Sequence, residues 1–306
     1  MYIIGGPTAS GKSKLAIQLA QLVDGEIVNA DSLQLYKNIP ILSAAPSDEE
    51  LSQAAHHLFG IYHDDQVSTV HVWARLAKDA VENIKKRRKV PIIVGGTGMY
   101  LKSITHGLSE IPEISVDVRN TVRQMQQMLN AEDFYQEVIT KDTLIKEALH
   151  ANDKQRLGRA LEVFLETGQS IKTFQGNAKS IIDGDYKYIV VSPDQSDLHR
   201  LIEVRSSKML ENGALQEVQN LRSKGVTLDM PICKAIGVKE IWQYLDGAIT
   251  KNDMLMAFNQ TTRQYAKRQV TWFKNQVDNA TIVENPFDTD HLKMIIQEFT
   301  YLPDSA

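Results

Sequence analysis

Four short apolar runs punctuate the chain: Tyr2-Ile3-Ile4, Gly25-Glu26-Ile27-Val28-Asn29, Pro91-Ile92-Ile93-Val94 and Tyr188-Ile189-Val190-Val191. Each has the length and β-branched content of a strand, and Pro91–Val94 is of the parallel, buried kind. Between them the period lengthens. Leu15, Leu19 and Leu22 recur at helical spacing, and a further helix is predicted from about Val70 to Ile84. Strands alternating with helices predict an α/β fold with a mostly parallel sheet flanked by helices. From about Leu108 to Asp153 the strand signals stop. Val118, Val122, Met125 and Leu129 mark one helix, and Phe134, Val138, Ile145 and Leu149 continue a helical stretch. We therefore expect a helical insertion over residues 109–153, with residues 1–108 and 154–306 forming the core. Helices are also expected where Leu157, Ala160, Leu161 and Phe164 make one apolar face, through Arg200, Arg205 and Leu210, from Leu215 to Leu221, and from Thr261 to Lys274. Beyond residue 276 the chain turns acidic and reads as peripheral.

The first strand opens directly into Gly6-Pro7-Thr8-Ala9-Ser10-Gly11-Lys12-Ser13, a G-x-x-x-x-G-K-S phosphate loop in its strand–loop–helix setting. The glycines let backbone N–H groups converge on an anion, and the helix N-terminus adds partial positive charge. Lys12 can reach terminal phosphate oxygens, and the Ser13 hydroxyl can hold Mg²⁺. The motif specifies a polyphosphate without saying which one. Asp31 follows the second strand, so in an open α/β sheet it falls beyond the strand ends near that loop. A carboxylate there can hold a metal or act as a base. Gly95-Gly96-Thr97-Gly98 is a second glycine turn at a strand end, with Thr97 as a hydrogen bonder on a second wall of the site.

The remaining candidates are basic. Gln155, Arg156 and Arg159 lie off an apolar helix face, where two arginines suit phosphate binding or are simply solvated. Lys234 and Lys239 flank Gly237. Arg263, Lys267 and Lys274 align on one helix, with Tyr265, Trp272 and Phe273 broadly opposite. A basic stripe backed by aromatics can follow a nucleic-acid backbone, with the aromatics expected in the core. Lys85-Lys86-Arg87-Arg88-Lys89 reads as a solvated helix end that compensates the dipole. His56-His57 lacks the i, i+4 spacing of a metal site and reads as structural or as support behind a site.

The net charge of −4 over 306 residues argues against wholesale nucleic-acid coating and permits a local basic surface. One cysteine, Cys233, excludes an internal disulfide framework and a cysteine-rich zinc site. The first strand starts at residue 2, leaving no room for a leader, and no run reaches transmembrane length. A cytoplasmic protein with no membrane association is expected.

In this order, these segments resemble the bacterial tRNA dimethylallyltransferases, or tRNA isopentenyltransferases. The resemblance is carried by the phosphate loop, Asn29-Ala30-Asp31-Ser32-Leu33-Gln34-Leu35-Tyr36-Lys37, Val94 to Tyr100, Asn152 to Val163, Ile236-Gly237 and Thr262 to Phe273. The run Ala266-Lys267-Arg268-Gln269-Val270-Thr271-Trp272-Phe273 is the most specific part. The resemblance implies transfer of a dimethylallyl group from dimethylallyl diphosphate to N6 of the adenine on the 3′ side of the tRNA anticodon. The phosphate loop would hold the donor's diphosphate, with Mg²⁺ on Ser13. Arg205 looks like the family's added diphosphate clamp, Thr8 would sit near the bridging oxygen, and Asp31 matches the catalytic aspartate. Ser32, Leu33 and Gln34 would line the adenine pocket, with Thr97 and Arg119 at its edge. The segments Gln155 to Arg159 and Lys234 to Lys239 correspond to tRNA contacts. So do Arg263, Lys267, Arg268, Thr271 and Lys274, and the insertion would clasp the anticodon stem. No protein partner is implied. Ser43-Ala44-Ala45-Pro46 departs from the family's usual Thr-Ala-Lys-Pro, so a contact from that lysine cannot be carried over.

Three other readings start from the same phosphate loop. An isopentenyltransferase acting on free adenine nucleotides would not need the basic helix or the insertion. A phosphate-loop kinase would bind ATP and transfer a phosphoryl group. An RNA-binding nucleotide sensor would hydrolyse without modifying a product.

Overall fold

The structure is a computed structural model that describes residues 1–174, 180–182 and 184–285. The chain divides into two compact units, Met1–Thr105 with the chain from Ile181 onward, and His106–Ser180.

In the first unit, β1 (Tyr2–Gly5), α1 (Lys12–Val23) and β2 (Gly25–Asn29) are followed by short helices α2 (Pro40–Ser43) and α3 (Asp48–Gln53). Next come β3 (His56–His57), α4 (Val70–Lys86), β4 (Val90–Gly95) and α5 (Gly98–Thr105). The six strands form one sheet in the order β3-β2-β4-β1-β5-β6, where β5 is Lys187–Val191 and β6 is Thr281–Val283. Every pairing is parallel, and Gly5 is in register with Gly95. The central strands are buried on both faces, as their near-continuous Ile and Val content demands. Leu15, Ala16, Leu19 and Ala20 of α1 pack on Ile4, Ile27, Ile92 and Val191 of the sheet. Because β1 lies between β4 and β5, the loop after β1 emerges at the middle of the carboxyl edge, where α/β folds place ligands.

Two strands escaped the sequence reading. β3 is only two residues, and β6 lies in the tail that read as peripheral, yet Val283 is fully buried beside β5. Residues 286–306 of that tail lie outside the described residues. His57 Nε2 lies 2.6 Å from Glu26 Oε2, and His56 Nδ1 lies 2.8 Å from the Ala54 carbonyl. Among the described residues no cluster of His, Cys, Asp or Glu could hold a metal. The basic run after α4 is partly engaged in the fold, since Arg87 pairs with Glu26 and Lys89 with Asp24.

The second unit contains α6 (Val116–Met128), α7 (Ala131–Lys141) and α8 (Lys154–Thr167). Leu157, Ala160 and Leu161 of α8 pack against Val122, Phe134, Val138 and Ile145. That apolar face explains why the helical unit runs on to Ser180 rather than ending at residue 153: α8 completes this core. The first unit is completed by α9 (Gln195–Glu211), α10 (Ala214–Ser223), α11 (Val238–Leu245) and α12 (Lys251–Gln276). α12 starts at a capping box between Thr250 and Asp253. Its buried positions Thr262, Ala266, Gln269 and Phe273 follow the helical period. No helix among the described residues is long and apolar enough to cross a membrane.

Candidate active site

The phosphate loop adopts an anion-receiving conformation. Ala9 has φ 65° and Gly11 φ 88°, left-handed values that turn successive peptide N–H groups toward one side. Ser10 N–H is donated back to the Pro7 carbonyl at 3.3 Å, while the amides of Ala9, Gly11, Lys12 and Ser13 meet no acceptor among the described residues. The fully buried Ser10 hydroxyl likewise has no partner there. Gly6 and Pro7 are buried beneath the loop. Lys12 Nζ lies 3.3 Å from the Pro7 carbonyl. Burial pushes the Lys12 ammonium down to about 8; Asp31 opposes that shift and Arg205 adds to it.

Arg205 enters from α9. Its Nη1 donates to Thr8 Oγ1 at 3.1 Å. Burial pushes its pKa down, with the Asp31 carboxylate acting in the opposite direction. Two cations and one carboxylate therefore share a poorly solvated space. Lys12, Ser13, Asp31, Arg205, Thr8 and Tyr265 line one small cavity of about 80 Å³. A larger cavity of about 600 Å³ shares Lys12, Ser13, Gln34 and Arg205, and continues over Ile17, Phe59 and Val94.

Asp31 is held by its neighbours. Trp73, fully buried in α4, donates its indole N–H to the Asn29 carbonyl at 2.8 Å. Asn29 Oδ1 accepts the Asp31 amide at 2.8 Å, and its Nδ2 donates to the Asp31 carbonyl at 3.0 Å. Asp31 Oδ1 accepts the Leu33 amide at 3.0 Å, leaving Oδ2 without a hydrogen bond among the described residues. Thr97, from the glycine turn after β4, accepts the Ser32 amide at 3.0 Å, which ties that turn to the Asp31 segment. Gln34 spends both amide protons on the carbonyls of Ser43 (3.2 Å) and Ala44 (2.7 Å), which leaves its Oε1 an acceptor.

Three residues near this site carry no site role in the sequence pattern. Buried Glu217 of α10 accepts the Ile41 and Leu42 amides at 2.6 and 2.9 Å, and so anchors α2, whose last residue Ser43 and cap Ala44 supply the carbonyls that hold Gln34. Burial pushes its carboxyl up, with those amides opposing. Tyr265, expected in the core, instead lines the Asp31 cavity, and burial, reinforced by Asp31, pushes its phenol up. Gln269, one position within the Ala266–Phe273 run, bonds the phosphate loop directly. A buried glutamate read from sequence alone looks like any helix carboxylate, and only the fold reveals its partners.

The basic candidates are distributed over both units. Lys234 and Lys239 are exposed, and Gly237 is buried at the start of α11 with φ 99°. On α12, Lys267, Arg268, Thr271 and Lys274 are exposed, and the Arg268 guanidinium lies 5.7 Å from the Tyr265 ring centroid. Arg263 differs: it is only partly exposed and pairs with Glu203 of α9. In the helical unit Arg119 and Gln155 are exposed, Arg156 pairs with Asp153, and Arg159 with Glu162.

The sequence profile described as IPP transferase matches residues 34–276. The chain belongs to the IPP transferase family. Among curated relatives, the tRNA dimethylallyltransferase of Allorhizobium ampelinum is 41% identical over 278 residues, covering 90% of this chain and 91% of that protein. The tRNA dimethylallyltransferase of Rickettsia felis is 39% identical over 286 residues, with 93% of each chain covered. Among solved structures, a eukaryotic dimethylallyltransferase acting on tRNA matches with a TM-score of 0.84 at 27% identity, over 98% of this chain and 77% of that one. The tRNA isopentenylpyrophosphate transferase of Bacillus halodurans matches with a TM-score of 0.71 at 29% identity, over 98% and 95%. The all-parallel sheet flanked by helices is thus that of the IPP transferase structures.

Proposed function

We propose that this IPP transferase family member moves the dimethylallyl group of dimethylallyl diphosphate onto N6 of the adenine 3′ of a tRNA anticodon and releases diphosphate. The observation that carries the reading is the meeting of Lys12, Arg205 and Asp31 around one cavity at the mouth of the phosphate loop. In this reaction the adenine N6 forms a bond to C1 of the dimethylallyl group while the C1–O bond to diphosphate breaks. Negative charge grows on the leaving oxygens. Lys12, Arg205 and the open amides of Ala9, Gly11, Lys12 and Ser13 are placed to receive it in a desolvated space, where such contacts are strongest. Thr8, held by Arg205, faces the bridging oxygen. The attacking amine sheds a proton, and the uncommitted Oδ2 of Asp31 accepts it.

An adenine inside a stacked loop is out of reach, so the base is extruded into the pocket. Ser32, Leu33 and Gln34 line that pocket with Thr97 at its edge, and the Gln34 Oε1 acceptor suits an exocyclic amine. Lys267, Arg268, Thr271 and Lys274 of α12 follow the RNA backbone, as do Lys234, Gly237 and Lys239. We assign Arg119, Gln155, Arg156 and Arg159 of the helical unit to tRNA as well. Arg263, already paired with Glu203, contributes less.

The donor set fits Mg²⁺. Ser13 is exposed and lines the same cavity as Asp31, no cluster of His, Cys, Asp or Glu among the described residues could hold a metal by itself, and Mg²⁺ characteristically combines one or two such oxygens with substrate phosphates and water. When bound, Mg²⁺ neutralises diphosphate charge. The buried lone thiol of Cys233 fits a reducing compartment, and we assign the reaction to the cytoplasm. The test is incubation with unmodified tRNA, Mg²⁺ and dimethylallyl diphosphate, then nucleoside mass analysis. A dimethylallyl adduct on adenosine is expected. An adduct on free AMP or ADP but none on tRNA would overturn the choice of acceptor, and ATP-dependent phosphoryl transfer would overturn the reaction class.

A further inference from the structure

Helix α12 carries a buried side-chain amide whose two ends are committed to two different walls of the site. Gln269 is 5% exposed. Its Oε1 accepts the Thr8 backbone N–H at 2.8 Å, and its Nε2 donates to the Gly96 carbonyl at 2.8 Å. Thr8 belongs to the phosphate loop, and Gly96 precedes Thr97 in the turn that braces the Asp31 segment. Gln269 therefore ties together the two loops between which the chemistry is placed.

The helix that delivers this amide packs directly on the glycine backbones of the site. Phe273, Gln269 and Trp272 lie so close to the backbone of Gly5, Gly96 and Gly98 that a β-carbon at any of these glycines would collide with them. The strand ends are bare where α12 crosses them. Thr8 is pinned from both sides: its amide by Gln269, and its hydroxyl by Arg205. The Thr8 amide is taken by Gln269, and the amides without an acceptor begin at the next residue, Ala9, whose φ is 65°. The conformation that collects a diphosphate thus begins at the Gln269 bond.

We propose that Gln269 is a positioning residue for the leaving group: by fixing Thr8 and Gly96 it makes α12 part of the donor site. The inference rests on the reading that the phosphate loop holds the diphosphate of a prenyl donor. Its consequence is selective. Loosening Gln269 weakens donor binding, while the exposed Lys267, Arg268 and Lys274 on the same helix keep their hold on RNA.

Two variants test it. Gln269→Leu removes both bonds and leaves two buried backbone groups unpaired. Gln269→Glu is nearly isosteric. Its carboxylate accepts from Thr8 N–H but cannot donate to the Gly96 carbonyl, whereas its protonated form does both. Near neutral pH both variants should raise the KM for dimethylallyl diphosphate about 10-fold and leave the tRNA Kd within about twofold. The ratio of Gln269→Glu to wild-type kcat/KM for the donor should rise as pH falls and the buried carboxyl protonates. Lys12, Asp31 and Arg205 are common to both enzymes, so the ratio isolates position 269. Should Gln269→Leu fail to fold, the Gln269→Glu profile decides alone. An unchanged donor KM, equal losses for donor and tRNA, or a pH profile parallel to wild type would overturn the proposal. Calorimetric titration with inorganic diphosphate separates the two readings. Wild-type protein that binds no diphosphate sinks the donor assignment itself, whereas wild-type binding that persists undiminished in both variants sinks only the role of Gln269.

Discussion

Two sets of cations flank α12, and they differ in almost every physical respect. Lys12 and Arg205 lie inside, their charged forms penalised by burial and offset by Asp31. Lys267, Arg268 and Lys274 lie outside, open to water and salt. A buried cation holds its partner through a low local dielectric and acts on charge that develops during reaction. An exposed one is screened within about 10 Å at 0.1 M salt and acts on long-range attraction to a polyanion. The same residue types thus divide into a chemical set and an affinity set. Gln269, on the inner face of the helix whose outer face is basic, sits between them.

The comparison breaks most visibly if an inner cation is removed. Lys12→Ala should lower the single-turnover rate about 10²- to 10³-fold while tRNA affinity changes little. Parallel losses in both would erase the distinction. The inner set should also show its own pH limb. Because the Lys12 pKa is depressed to about 8, the ammonium is lost from free enzyme as pH rises through that value, and kcat/KM for the donor should fall above it. Bound diphosphate favours the charged form, so kcat should fall only at higher pH. A donor kcat/KM that stays flat to pH 10, or falls identically in Lys12→Ala, would contradict this assignment. The outer set should answer to salt. Lys267→Ala should weaken tRNA binding a few-fold at ~0.1 M salt and reduce the log–log salt slope by about one unit, against an unchanged slope if the helix does not meet RNA.

The smallest effect belongs to neither set. At the far edge of the sheet, Arg87 and His57 hold the Glu26 carboxyl below its usual range, against an opposing contribution from burial. That stability is present above the unfolded carboxylate pKa and is lost as pH falls through the lower folded value. Glu26→Gln should cost about 1 kcal/mol near neutrality, less at low pH, and leave turnover untouched. A pH-independent cost measured by denaturant unfolding would show that packing, not charge, is at work.

The sequence made some of this plain and hid the rest for identifiable reasons. The phosphate loop is legible because its glycines, lysine and hydroxyl occupy fixed offsets between a strand and a helix. Asp31 is legible because a parallel strand's end predicts where its next residues lie. The central strands announce themselves through Ile and Val, while β3 and β6 are too short to carry a period. The extent of the helical unit is hard to read from sequence because α8 has an apolar face that suits either a sheet or another helix, and its packing on Phe134 and Val138 shows which it meets. Arg263 and Lys267 look alike on a helical wheel; Glu203 on α9, some sixty positions before Arg263 in the chain, distinguishes them. Glu217 and Gln269 were opaque for the same reason, since their partners lie 176 and 261 residues away.

The most direct test of the account is the Asp31→Asn variant, measured for tRNA affinity and single-turnover dimethylallyl transfer on the same preparation. Asparagine keeps an oxygen for the Leu33 amide, so the loop should hold its shape. The account predicts a tRNA Kd within about twofold of wild type and a transfer rate lower by about 10²- to 10⁴-fold. Lost tRNA binding with a normal single-turnover rate would contradict it, and would move Asp31 from the chemistry to the recognition of RNA.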